Sequence, residues 1–101
     1  MLNLKEFKKE LSDVFSDELY YIDDYNDLRR FSREQSDLYI EKIDRLELFD
    51  VLSDIYNIEE FENLEYSNNL ADVIDSFNYM FLSDFIFNHL KELYTPKNYL
   101  K

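Results

Sequence analysis

The chain has no cysteine, no glycine and only one proline. Without cysteine there is no disulfide, no thiolate metal site and no thiol nucleophile. Without glycine, Asn-Gly hairpins, phosphate-binding loops and nucleophile elbows lose the residue that supplies positive φ or close backbone approach. Asparagine can take over in turns, and the chain has nine. Long apolar runs are also missing. No window approaches the roughly 18 apolar residues of a spanning helix, and the charged start, Met1 to Glu6, precedes no apolar run of signal-peptide length. The expected address is the cytoplasm of the producing cell, or of a host cell if the gene travels on a phage.

Basic residues are scarce as well. Eleven Lys and Arg face 23 Asp and Glu, for a net charge of -12. Nucleic acid and anionic membrane would both repel such a body, so neither is an expected partner. The charge favours a basic partner, or serves solubility alone. What the chain does contain is core material: 46% hydrophobic residues, with nine Phe and nine Tyr. Rings bury large areas with few rotatable bonds, whereas disordered chains are aromatic-poor. Residues 1–101 are therefore expected to form a single domain.

The fold class expected is mainly α, a helical bundle of about four to five helices. Asn3 and Glu6 have capping-box spacing ahead of a helix from Leu4 to Phe15, whose stripe is Leu4, Phe7, Leu11 and Val14. Residues 17–31 read as helix through Tyr21, Tyr25 and Leu28. The alternative there is a short strand at 19–22, or a hairpin within 19–31, because Leu19-Tyr20-Tyr21-Ile22 has strand-like composition. From Ser36 to Asn57 the apolar face is so wide that the helix is either buried on two sides or broken near Glu47. Asn57 to Glu60 repeats the capping-box spacing and should open a short helix, and Ser67-Asn68-Asn69 is a turn. The last helix runs from Leu70 to Tyr94 and ends before Pro96. Its middle, Phe77 to Phe87, is apolar at eight of eleven positions. Such a helix lies at the centre of the core or is shared with a second copy in a homodimer.

Catalytic and metal motifs do not assemble. His89 is the single histidine and sits among Phe85, Ile86 and Leu93, a packing environment; His89 and Glu92 reverse the Glu-x-x-His order of di-iron bundles. Asp23, Tyr25 and Asp27 alternate like a calcium loop and Glu34 falls at the twelfth place, but Tyr25 and Arg29 occupy ligand positions and Leu28 stands where the turn needs glycine. Asp75-Ser76-Phe77 has the look of a carrier-protein attachment site with too little chain after it. Carboxylates abound, but no nucleophile, oxyanion donor or cofactor loop accompanies them. The expectation is a binding protein rather than an enzyme, with no cofactor and no metal.

The acids are segregated. Glu10 to Leu28 holds seven and no Lys or Arg; Leu46 to Leu90 holds ten and again no Lys or Arg. Rows such as Glu6, Glu10, Asp13 and Asp17, or Asp37, Glu41 and Asp44, put carboxylates about 6 Å apart along a helix. Phosphates recur on a similar scale, about 3.4 Å of axis per strand. Ordinary solvated faces are the alternative. The partner-binding residues expected are Asp13, Asp17, Asp23, Asp24, Asp27, Glu59, Glu60, Glu62 and Glu65.

Two stretches, Glu18-Leu19-Tyr20-Tyr21-Ile22-Asp23-Asp24-Tyr25 and Asn69-Leu70-Ala71-Asp72-Val73-Ile74-Asp75-Ser76-Phe77-Asn78-Tyr79, resemble the acidic antirestriction proteins of phages and mobile elements, which imitate DNA. The resemblance implies a strategy rather than a set of contact residues. An inhibitor would block the nucleic-acid-binding surface of a restriction, CRISPR or repair protein. An immunity protein against a basic nuclease toxin fits the same composition, and a self-associating structural or regulatory subunit is a third reading.

Overall fold

The computed structural model describes residues 2–57 and 70–97, which form four α-helices and one 3-10 turn. Helix α1 spans Leu4–Glu18, the 3-10 turn Leu19–Tyr21, α2 Tyr25–Ile40, α3 Arg45–Tyr56 and α4 Leu70–Leu93. Among the described residues there is no strand. A helical bundle is thus the fold, and the strand or hairpin considered for 19–31 is not formed. Tyr20 and Tyr21 have no neighbouring strand to pair with; instead the Ile22 amide donates to the Leu19 carbonyl at 3.3 Å and closes a tight turn.

The starts of α1, α2 and α3 are each fixed by a polar cap. Asn3 Oδ1 accepts from the amides of Lys5 and Glu6, and Asp24 Oδ1 accepts from the Asp27 amide at 2.9 Å. Asp44 Oδ1 accepts from Leu46 and Glu47, both at 3.0 Å. That last cap rules out a single helix over 36–57 and leaves the alternative of a break, which falls at 41–44, a few residues before Glu47. Residues 36–40 close α2, the chain turns at 41–44, and Asp44, extended at ψ 129°, restarts it as α3. A cap of this kind satisfies amides that a continuous helix would tie to preceding carbonyls. Asn57 also departs from expectation. It ends α3 in the left-handed conformation, φ 52° and ψ 48°, with its amide donating to Asp54. In a chain without glycine, asparagine is the residue that tolerates this geometry best. The short helix expected beyond Asn57, and the turn at 67–69, lie outside the described residues.

Helix α4 is the central element and carries the main contacts to α1, α2 and α3. Ile74, Asn78, Leu82, Ile86 and Leu90 repeat every four residues and are buried, the spacing of one helix face. A second row, Phe77, Phe81 and Phe85, is half-buried against rings of other helices: Phe49 lies 4.7 Å from Phe77, Tyr56 4.8 Å from Phe81 and Phe7 6.0 Å from Phe85. The apolar stretch 77–87 is hydrophobic almost all round because three helices surround it. Only Tyr79 and Met80 in it are exposed large apolar side chains. Against this core α1 sets Phe7, Leu11 and Phe15, and α2 sets Leu28, Phe31 and Tyr39. Ser32 and Ser36 are fully buried, small enough to let α2 lie close to α4. Two ion pairs reach α4 from outside, Arg29–Asp84 from α2 and Arg45–Asp75 from α3. Among the described residues no helix is long and apolar enough to cross a membrane.

Candidate partner-binding surface

The buried face of α1 is Phe7, Leu11 and Phe15, which turns Glu6, Glu10, Asp13 and Asp17 outward, all exposed. From Glu6 to Asp17 the row extends about 17 Å, with a carboxylate roughly every 4.5 to 6 Å. That is sparser than a DNA strand, but continuous along one edge. None of the four makes an ion pair among the described residues. Asp13 and Asp17 are therefore exposed and carry no ion pair among the described residues.

Asp23, Asp24 and Asp27 gather at the start of α2 but do different work. Asp24 is the N-cap, and Asp27 Oδ2 accepts from the Asp23 amide at 3.2 Å. The other Asp27 oxygen is 3.9 Å from Arg30. Two of the three carboxylates hold the helix terminus, where negative charge is also favoured by the helix dipole. Asp23 alone offers an exposed side chain without a structural task. Glu59, Glu60, Glu62 and Glu65 lie outside the described residues.

Folding also changes the charge map. Asp75 and Asp84 belong to the long basic-free window in sequence, yet in space they neutralise Arg45 and Arg29. Lysines are drawn to rings: Lys8 lies over Phe85, Lys42 over Tyr39 and Lys91 over Tyr25 and Phe87, at 5.4 to 5.8 Å. Six cations, Lys8, Arg29, Arg30, Lys42, Arg45 and Lys91, are thus engaged by the bundle's own acids and aromatics, while Lys5, Lys9 and Arg33 stay exposed; on α1, Glu6, Asp13 and Asp17 face solvent and Glu10 accepts from the Tyr39 hydroxyl. His89 is likewise structural. Its Nε2 is 3.0 Å from Ser12 Oγ and 3.1 Å from the Lys8 carbonyl, pinning α4 to α1.

Sequence reasoning passed over one feature. Tyr20 and Tyr21 are 82% and 75% exposed, the most exposed large apolar side chains described. The turn that carries them is anchored by Ile22, 3% exposed, whose carbonyl accepts from the Tyr94 hydroxyl at 3.4 Å. The signal was available: the buried series Phe7, Leu11, Phe15 and Ile22 skips both tyrosines. Beside Tyr21 is a recess of about 190 Å³, floored by Ile22 and Phe31 and edged by Glu18, Asp27, Arg30 and Glu34.

A cleft of about 750 Å³ lies where the end of α2 meets the starts of α3 and α4, and its walls are mainly Ile40, Ile43, Leu46, Leu48 and Ile74. Asp44 caps α3, Arg45 pairs with Asp75, and Asn78 Nδ2 donates to the Arg45 carbonyl at 2.9 Å, while the buried Asn78 Oδ1 has no hydrogen-bond partner among the described residues. Among the described residues no group of three or more His, Cys, Asp or Glu could hold a metal ion. Comparison with known proteins found no match: no family model, no curated protein and no solved structure is detectably similar to the chain.

Proposed function

We propose that the protein is an acidic inhibitor that occupies the nucleic-acid-binding surface of a host defence or DNA-processing protein, with its carboxylates standing in for phosphates. One observation carries the reading: the row Glu6, Glu10, Asp13 and Asp17 along the outer edge of α1, exposed and without an ion pair among the described residues, on a body that engages six of its cations with its own acids and rings. A surface built to receive phosphates is positive and would be steered toward such an edge, in a salt-dependent way. The contact residues assigned are Asp13, Asp17 and Asp23. Asp24 and Asp27 contribute charge while serving α2.

The test is retention of proteins from host lysate on the immobilised chain, at low and high salt, with and without competing duplex DNA. A DNA-binding protein retained by the wild type, released by DNA, and lost on the Asp13→Lys/Asp17→Lys/Asp23→Lys variant at unchanged helicity is the expected result. Equal retention by that variant, or indifference to DNA, would overturn the proposal. A retained nuclease encoded beside the gene would instead make this chain an immunity protein.

A further inference from the structure

We infer that the recess beside Tyr21 is the receptor for one arginine side chain projecting from a basic protein partner. This rests on the reading above, that the partner is basic, and names the chemistry of a contact that reading leaves open.

Size comes first. At about 190 Å³ the recess falls below the roughly 300 Å³ at which small-molecule pockets begin, so it suits a single long side chain. Its composition then selects the side chain. The floor is apolar, Ile22 and Phe31, and would cover a methylene stem. Glu18 and Glu34 stand at the edge with no ion pair among the described residues, and Tyr21 offers an exposed ring. Aromatic face plus carboxylates is the environment that a planar, forked guanidinium uses better than an ammonium does.

The protein already builds this arrangement once. Arg29 Cζ lies 3.8 Å from the centre of the Phe87 ring while Nη1 sits 2.6 Å from Asp84 Oδ1. The recess repeats ring and carboxylate, and the arginine in its lining, Arg30, makes no ion pair with Glu18 or Glu34 among the described residues. Its own cation, Arg30, is largely exposed and only 3.9 Å from Asp27, on the opposite side of the balance: it repels a guest rather than filling the site. Tyr20 and Tyr21 fit the same role. Exposed tyrosine is a common anchor of interfaces, and a turn pinned by buried Ile22 displays the pair with little ordering left to do on binding.

The experiment is a titration of the full-length protein, followed by NMR, with acetyl-Gly-Arg-Gly-amide and, separately, acetyl-Gly-Lys-Gly-amide. The arginine peptide should shift the Tyr21 ring and the amides around Glu18 and Glu34 with at least threefold higher affinity than the lysine peptide. Glu18→Gln/Glu34→Gln and Tyr21→Ala should each weaken it at least threefold, and Arg30→Ala should tighten it. Asp50→Asn/Asp54→Asn, which removes the same charge from α3, should leave it unchanged. Shifts spread evenly over all acidic faces, equal affinity for both peptides, or an equal loss in the α3 control would overturn the assignment. The outcome is independent of the lysate experiment. A silent recess with DNA-competed retention sinks only the arginine site, and a working recess without such retention sinks only the inhibitor reading.

Discussion

Tyr39 meets Phe7 edge-on, with ring centres 4.9 Å apart and planes at 79°, so the last turn of α2 is keyed into the first turn of α1. Burial there, reinforced by the charge of Glu10 and a hydrogen bond to it, pushes the Tyr39 hydroxyl from its ordinary value of 10 up to about 12.

The pH dependence follows from that shift. Below pH 10 the phenol is protonated in both the folded and the unfolded chain, and the packing contributes fully. As pH rises from 10 to about 12 the unfolded chain gives up its proton first, so stability falls across that interval and the contribution is gone above it. Tyr56 is raised in the same direction, by burial and then by Asp84. Tyr39→Phe should therefore lose less stability than the wild type between pH 10 and pH 12, read as urea midpoints. Parallel curves would show that Tyr39 is not the group responsible.

Neighbouring aspartates should behave differently. Asp24→Ala removes the cap that holds the Asp27 amide and should cost about 1 kcal/mol. Asp23→Ala removes an exposed side chain and should stay within about 0.5 kcal/mol of wild type. Chemical denaturation of the two variants side by side decides it. Equal losses would mean that the cap carries no stability of its own.

The inward and outward sides of α4 provide the third contrast. Ile86 is fully buried in the main cluster, and Ile86→Ala should cost about 2 to 5 kcal/mol through lost transfer energy and the cavity left behind. Met80 is exposed, so Met80→Ala should change stability by less than about 0.5 kcal/mol. A Met80→Ala loss comparable with that of Ile86→Ala would indicate that the exposed side of α4 is covered in solution by a second copy, which sedimentation would then detect.

Much of the bundle is legible in the sequence because helix periodicity and caps are local signals. The start of α1 at Asn3 and both ends of α4 follow from spacing and from Pro96. The segment 36–57 did not, because its apolar face widens at the place where the chain turns, and only the Asp44 side chain separates two helices whose stripes run together. At Asn57 one residue type serves either end of a helix, and spacing alone does not say which end. The site was legible in part. Exposure of Asp13 and Asp17 follows directly from the stripe of α1. Partnering does not: Asp75 and Asp84 find arginines 30 and 55 positions away, a relation that no window of sequence displays. Tyr20 and Tyr21 were hidden by composition, since aromatic residues in an aromatic-rich chain suggest core.

The order of helices along the chain gives the central position of α4 a temporal meaning. During synthesis α1, α2 and α3 leave the ribosome first, each with an apolar stripe whose principal neighbour has not yet been made. Until Leu70–Leu93 emerges there is little for those stripes to close on, so the nascent chain holds exposed apolar surface up to that point. Folding should then wait until α4 has emerged, and strong net negative charge would keep the waiting intermediate from associating with its copies.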